Sequence, residues 1–339
     1  MGGNAIRPLA EKHGFNTTRL TRELAEHTQR HIETLLGLVL LQPKTFPTKK
    51  DFGDLDLLGD FRSFSQEEIK KRIGAVGFVK NGHVTSYALP YESNLLQVDL
   101  INVHLRNMGF VSRYMAWGGA ENFFGKVSRH YGMKFSADGL YAKQVESGQI
   151  YFLPVTKSFG EAMKILDYDF DRFEKGFYGE ENFLEFVRSS RLFREEFFSV
   201  ENLRARDTGN EHRNNAFRNL SKSKKNQNNA FAIKEATGNI TLPDFSRYPL
   251  FLDALTELRE GLEKKRLIAK KWNGDMVSSI TGLTEKDLGR FMAEFSSRFS
   301  SASEFQSWIL LTPEETVRMA VLDAYASRGI PEGLSRIER

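Results

Sequence analysis

Gly53-Asp54-Leu55-Asp56-Leu57-Leu58 is the stretch on which the reading of this chain turns. On an extended strand, residues i and i+2 project from one face, so Asp54 and Asp56 point together while Leu55 packs the other way. A later run, Gln97-Val98-Asp99-Leu100-Ile101, repeats the pattern with one acid. There Asp99 shares a face with Gln97 and Ile101, and Val98 and Leu100 face a core. If the two strands are neighbours, three carboxylates meet on one small area of sheet. Such a cluster repels itself unless a cation joins it, and an all-oxygen donor set suits Mg²⁺. A carboxylate set among Leu95, Leu96, Val98, Leu100 and Ile101 is costly unless it is paired or metal-bound.

The elements around these strands follow from local signals. Residues 17–36 carry Leu20, Leu24, Ile32 and Leu35 near one stripe, which predicts a helix capped by Thr17 or Thr18. Pro43 and Pro47 interrupt the next segment. Ser65 and Glu68 form a capping box, so a second helix should run from about Gln66 to Ile73. Phe78-Val79-Lys80 and His83 to Tyr87 flank Asn81-Gly82, a strong hairpin signal, and a further strand is expected over Leu95 to Val103. The order helix, strand, helix, hairpin, strand implies a mixed α/β sheet. Beyond about residue 158 the chain becomes rich in Phe, Leu, Glu and Arg at helical spacing, and helical patterns return over 250–271 and 284–299. The expected architecture is an α/β domain over 1–158 followed by an all-α domain over 159–339.

Composition narrows the chemistry. The 339 residues contain no cysteine, which removes disulfides, thiolate metal sites and a cysteine nucleophile. No apolar run approaches the ~20 residues of a membrane span, and no signal-peptide layout opens the chain, so a soluble cytoplasmic protein with no membrane partner is expected. The net charge of +4 is unevenly placed. Between Arg204 and Lys234 eight basic residues face only Asp207 and Glu211, so this segment alone exceeds the excess of the whole chain. Arg213, Arg218, Lys222, Lys224 and Lys225 are its centre, and they point to a polyanionic partner. Lys126 and Arg129, with Lys134 and Lys143, are interleaved with Phe123, Phe124, Tyr131, Phe135 and Tyr141, a mixture suited to base stacking and phosphate contact.

The acidic motifs resemble those of the polymerase β-like nucleotidyltransferase superfamily, in which a glycine turn precedes Asp-hydrophobic-Asp on one strand and a third Asp lies on a later strand. Gly53 to Leu58 looks like the first part and Gln97 to Ile101 like the second. The resemblance implies the family's α/β palm, with Asp54 and Asp56 binding two Mg²⁺ (or Mn²⁺) and Asp99 as the base or metal-bridging ligand that activates an acceptor hydroxyl. It further implies transfer of a nucleoside monophosphate from an NTP with loss of pyrophosphate. In this family a Gly-Ser or Gly-Gly usually precedes the acidic pair and holds the triphosphate through backbone N–H groups. Here Pro47-Thr48-Lys49-Lys50 occupies that region, so Thr48, Lys49, Lys50 and Gly53 are candidate nucleotide ligands. Gly2-Gly3-Asn4-Ala5-Ile6-Arg7 is the alternative, loosely similar to the Gly-Gly-x-x-Arg of tRNA CCA-adding enzymes, and the sequence leaves the choice open. Trp272 to Met276, Thr281-Gly282-Leu283 and Leu288 to Phe291 are faintly similar to the closing helical module of those enzymes. An RNA 3′ end is therefore the expected acceptor. A protein or small-molecule acceptor is the rival, and an inert nucleic-acid-binding protein on the same fold is a second.

Other motifs carry less. His27 and His31 have a zinc-compatible spacing, but Thr28 stands where a metalloprotease has Glu, and a surface or packing role is expected. Gly119 to Gly125-Lys126 is one residue too long for a phosphate loop and is followed by Val127. Asp167, Asp169 and Asp171 read as a solvated helix boundary.

Overall fold

The computed structural model describes residues 4–198 and 244–328. Its first compact unit spans Met1–Leu252 and its second Asp253–Arg339. The division falls well past residue 158, where the texture of the sequence changes.

Strand β7 (Asn94–Asn102) organises the first unit. On one side it pairs antiparallel with β6 (Val84–Tyr91), which pairs with β5 (Gly77–Asn81). On the other side it pairs parallel with two strands in succession, β1 (Asn16–Thr17) at its beginning and β4 (Leu55–Gly59) at its end. The sheet is therefore mixed, as expected. Eight-residue β6 and nine-residue β7 are buried over most of their length because both faces of the sheet are covered. One face presents Leu55, Leu57, Tyr87, Leu96, Val98 and Leu100 to helices α2 (Arg22–Leu36) and α3 (Gln66–Ile73). The opposite face packs Leu58, Ile101 and Val103 against Met108 and Val111 of α4 (Met108–Tyr114). Helix α1 (Arg7–His13) lies over the beginning of β7, with Ile6 and Ala10 against Ala88 and Leu95.

Local signals place most boundaries. The Ser65 hydroxyl accepts the Glu68 N–H at 3.1 Å, so α3 begins where the capping box put it. Helix α2 starts later than expected. Thr21, not Thr17 or Thr18, is its cap, accepting the Leu24 N–H at 3.2 Å. The earlier residues are taken by pairing: Asn16 and Thr17 add to β7, and β2 (Leu20–Thr21) pairs with β3 (Asp51–Phe52). The β5–β6 turn slips by one residue, closing on the Asn81–Val84 pair with Gly82-His83 as its loop.

A second, three-stranded antiparallel sheet went unread in the sequence: β8 (Met133–Ser136), β9 (Gly139–Glu146) and β10 (Gln149–Thr156). Its β9–β10 turn places Ser147 and Gly148 at φ 50° and 76°, the two left-handed positions of a two-residue hairpin loop. Gly139 is required at the start of β9: φ is 150°, and a Cβ there would lie 2.6 Å from the Thr156 carbonyl oxygen. The buried face of this sheet rests on α5 (Ala116–His130). The Phe-rich helices α6 (Phe159–Ile165), α7 (Phe170–Lys175) and α8 (Glu180–Arg188) join the same core. Phe124 contacts Phe173, Phe183 and Phe186 at ring separations of 6.0–6.3 Å, and Phe159 meets Phe135 and Phe110 at 5.8 and 5.2 Å. Those rings carry the first unit past residue 158.

The second unit is helical, with Gly274–Thr281, Glu285–Ser296, Ala302–Leu311 and Glu314–Ala326 following the long helix Pro249–Lys271 that crosses the boundary. Its core is Phe291, Phe295, Phe305, Ile309, Val317 and Val321. Among the described residues no helix is long and apolar enough to cross a membrane.

Candidate active site

The parallel pairing of β4 and β7 sets Asp56 and Asp99 side by side as register partners. Neighbours in register point to one face, so the two carboxylates share the face opposite Leu57 and Leu100. Asp54 lies two residues before Asp56, at the entry to β4. Backbone pairing thus brings Asp56 and Asp99 together, and Asp54 joins them from the bend before the strand.

Crowding changes their chemistry. Burial raises the Asp56 carboxyl to about 7, and the charges of Asp54, Asp99 and Glu121 add to the effect while Lys49 opposes it. Burial also raises Asp99, which is 9% exposed. Hydrogen bonds from Ser86 and Gln97 to its carboxylate work against that rise, and Asp54 reinforces it. Ser86 is the register partner of Asp99 on β6, and the Gln97 Nε2 donates to Asp99 Oδ1 at 2.9 Å. Gln97 is itself fixed, since its Oε1 accepts the backbone N–H groups of Ala5 at 3.0 Å and Ile6 at 3.4 Å. The segment that follows Gly3 is thereby tied to the residue beside Asp99. Gly2 and Gly3 lie outside the described residues.

Of the lysines in the 47–50 segment, Lys49 is the one that answers the acids. Its pKa is lowered by burial, and Asp54 and Asp56 pull it back up. Its Nζ lies 4.7 Å from the centre of the Phe52 ring. Arg22 fixes this loop from α2, donating to the Phe46 carbonyl at 3.1 Å and the Lys49 carbonyl at 3.2 Å. Thr48 and Lys50 are exposed on the same loop, Thr48 near Gly179, and Gly53 is half-buried just before Asp54.

Glu121 is the participant that sequence reasoning missed. It follows Trp117, Gly118 and Gly119, whose left-handed φ values of 58°, 71° and 108° break α5 near its start. The glycine pair signals a kink there, but nothing local places Glu121 against a strand more than 60 residues earlier. Ser86 could have been found, since it alternates with buried neighbours on a strand that pairs with the Asp99 strand.

The remaining predicted residues are scattered. Lys126 is buried, 7% exposed, which leaves Arg129 as the surface cation of that pair on α5. Arg213, Arg218, Lys222, Lys224 and Lys225 lie outside the described residues. His27 and His31 are exposed on α2. Asp169 caps α7 through the Arg172 N–H, and Asp167 pairs with Arg191 at 2.7 Å, the structural roles expected of them.

Among the described residues no group of three or more His, Asp or Glu side chains is gathered tightly enough to enclose a metal ion. The donor set at β4 and β7 is nonetheless of the hard, all-oxygen kind, and its mutual repulsion is what a divalent cation would relieve. No protein-family model matches the chain, and no curated protein sequence matches it significantly.

Proposed function

We propose that the chain is a nucleotidyltransferase that moves a nucleoside monophosphate from an NTP to an acceptor hydroxyl, on a palm of the polymerase β-like kind. The observation that carries this reading is the register pairing of Asp56 with Asp99 on parallel strands, with Asp54 at the strand entry. The fold supports it only in its broad form, a mixed sheet with helices followed by a helical unit.

Asp54, Asp56 and Asp99 would hold divalent ions, Mg²⁺ first. Bound there, the ions would supply charge neutralisation of the triphosphate and acidify the acceptor hydroxyl. The protein's own groups do the rest by position. Gln97 and Ser86 hold the Asp99 carboxylate in one orientation, so that it can take the proton of the acceptor hydroxyl. As that proton leaves, the acceptor oxygen bonds to the α-phosphorus and the bond to the pyrophosphate oxygen breaks. Lys49, drawn toward Asp54 and Asp56, offers a positive charge to the triphosphate. Arg22 holds the Lys49 loop in place. The acceptor is an RNA 3′ end in this reading, on the strength of the basic 204–234 segment.

The test is transfer of label. Purified protein is incubated with Mg²⁺, each α-³²P-labelled NTP in turn, and a mixture of total RNA and cell protein, beside Asp54→Asn/Asp56→Asn. Label entering RNA with the wild type alone supports the reading and names the nucleotide. Label entering protein keeps the transferase and replaces the acceptor. No label in either fraction overturns the reading.

A further inference from the structure

The β8–β10 sheet has one buried face and one open face. Met133, Phe135, Leu140, Ala142, Leu153 and Val155 point inward and are buried. The other face carries Lys134, Tyr141, Lys143, Val145, Ile150 and Phe152. Register sets them in rows: Lys134 beside Tyr141, Lys143 beside Phe152, and Val145 beside Ile150. Val145, Ile150 and Phe152 are 55%, 57% and 46% exposed, an unusual apolar content for the solvent side of an antiparallel sheet. The Lys134 Nζ sits 5.6 Å from the Tyr141 ring centre. Asp138, at this end, accepts the Tyr141 hydroxyl at 2.6 Å.

We infer that this open sheet face binds single-stranded nucleic acid, with bases stacked on Tyr141 and Phe152 and phosphates met by Lys134 and Lys143. Aromatic and aliphatic surface interleaved with cations on a flat sheet is what a flexible polyanion with exposed π-faces requires. A purely hydrophobic protein partner would not need the lysines placed in register with the rings. A duplex, its bases already stacked, could not use the rings at all.

Tyr114 touches the underside of the sheet, its ring 5.4 Å from that of Phe135. Its hydroxyl is pushed up to about 12 by burial, and the charges of Glu121 and Asp138 add to the rise. Glu121 in turn acts on Asp56. Binding by this face does not depend on the nucleotidyltransferase reading.

Fluorescence anisotropy with a labelled oligouridylate of about 12 nucleotides tests it, a length within the span of known single-strand sites. The full-length chain, its Asp54→Asn/Asp56→Asn form, Phe152→Ser and Lys134→Ser/Lys143→Ser are compared between about 50 and 200 mM salt. Phe152→Ser should weaken binding about tenfold. Removing both lysines should lower the log–log salt slope by about 1.4, at roughly 0.7 per phosphate released. A duplex of equal length should be left unaffected by Phe152→Ser. The Asp54→Asn/Asp56→Asn form should bind as the wild type does, and this separates binding from chemistry: if no label is ever transferred yet these shifts appear, the binding face stands and the transferase falls. Unchanged affinity in Phe152→Ser and in the double lysine variant overturns the inference even if transfer to RNA is observed. So does a wild type that binds no oligonucleotide, and so does self-association that Phe152→Ser abolishes, since the face would then be a contact between copies.

Discussion

The acids of the first unit and the helix ends of the second are treated differently. In the helical second unit several helix ends are given a side-chain partner. Asn273 caps one helix through the Met276 N–H at 2.8 Å, Ser301 caps another through Glu304, and the Lys271 ammonium closes the last turn of Ala302–Leu311. That ammonium donates to the Ile309, Leu310 and Thr312 carbonyls at 3.2, 2.9 and 2.8 Å. In the first unit the same chain sets Asp54, Asp56 and Asp99 together with Glu121 nearby and Lys49 as the cation that opposes them. Like charges crowded at one place favour a cation that joins them, and perturbed carboxylates of this kind cluster at functional sites.

The sharpest way to break the contrast is to remove one charge. Asp56→Asn should abolish label transfer by about a thousandfold or more, as expected when a group acting on the transition state is lost. It should also make the metal-free protein more stable, by on the order of 2 kcal/mol near pH 8. The sign follows from the raised pKa. Asp56 holds its proton up to about pH 7 in the folded chain, against an ordinary value of 3.8. Folding is therefore favoured below that ordinary value, and the advantage is lost as pH climbs through about 7. Thermal melts from about pH 5 to 8 should show wild-type stability falling with pH, and the slope should flatten in Asp56→Asn. Mg²⁺ should restore wild-type stability at the upper end and leave Asp54→Asn/Asp56→Asn unmoved. A wild type indifferent to both pH and Mg²⁺ would remove the contrast between the units.

Lys49 sharpens the same comparison from the other side. Lys49→Met leaves the acids without the cation that opposes them and should lower kcat/KM for the NTP by about ten- to a hundredfold, mostly through KM. The alkaline end of the stability profile should also fall, since the acids then repel one another more. An unchanged KM would mean that the triphosphate is held elsewhere, and would favour the Gly2-Gly3 turn whose following residues Gln97 anchors.

In the second unit the counterpart is Lys271→Met. Three carbonyls at the end of Ala302–Leu311 lose their donor, at a cost of about 2 kcal/mol to that unit. Nothing in the pH or Mg²⁺ dependence of the first unit should change. Circular dichroism melts that also monitor Mg²⁺-dependent shifts would separate the two effects.

What could be read beforehand was what neighbours in sequence decide. Ser65 and Glu68 placed a helix to the residue, and the alternation around Asp56 and Asp99 placed two strands and the face they share. Thr21 displaces Thr17 and Thr18 as a cap because Asn16 and Thr17 have strand partners some 78 residues away. No local rule weighs a cap against such a pairing. Helices 159–188 look like a new domain because their composition changes, while their phenylalanines pack on Phe124 and Phe135. Lys134 and Lys143 stand out in the sequence for their company with aromatics, yet the sheet that lines them up on one face does not, since strand preference depends on cross-strand neighbours that the sequence does not name. Spacing groups Lys126 with them, but its side chain is buried. Glu121 enters the site through a left-handed break at Trp117–Gly119 that aims a helix, not through any motif.

The smallest expected effect tests whether the first unit is unusual throughout or only at its acids. Ser65 caps α3 with a single hydrogen bond to the Glu68 N–H, in the same manner as the caps of the second unit. Ser65→Ala should cost about 1 kcal/mol, the ordinary value for a lost cap. The change should appear equally at about pH 5 and pH 8 and with or without Mg²⁺, because α3 covers the face of the sheet opposite the acids. If the loss instead grew with pH, α3 would be coupled to the charge cluster through β4 and β7. The strain would then be a property of the whole sheet and not of three side chains.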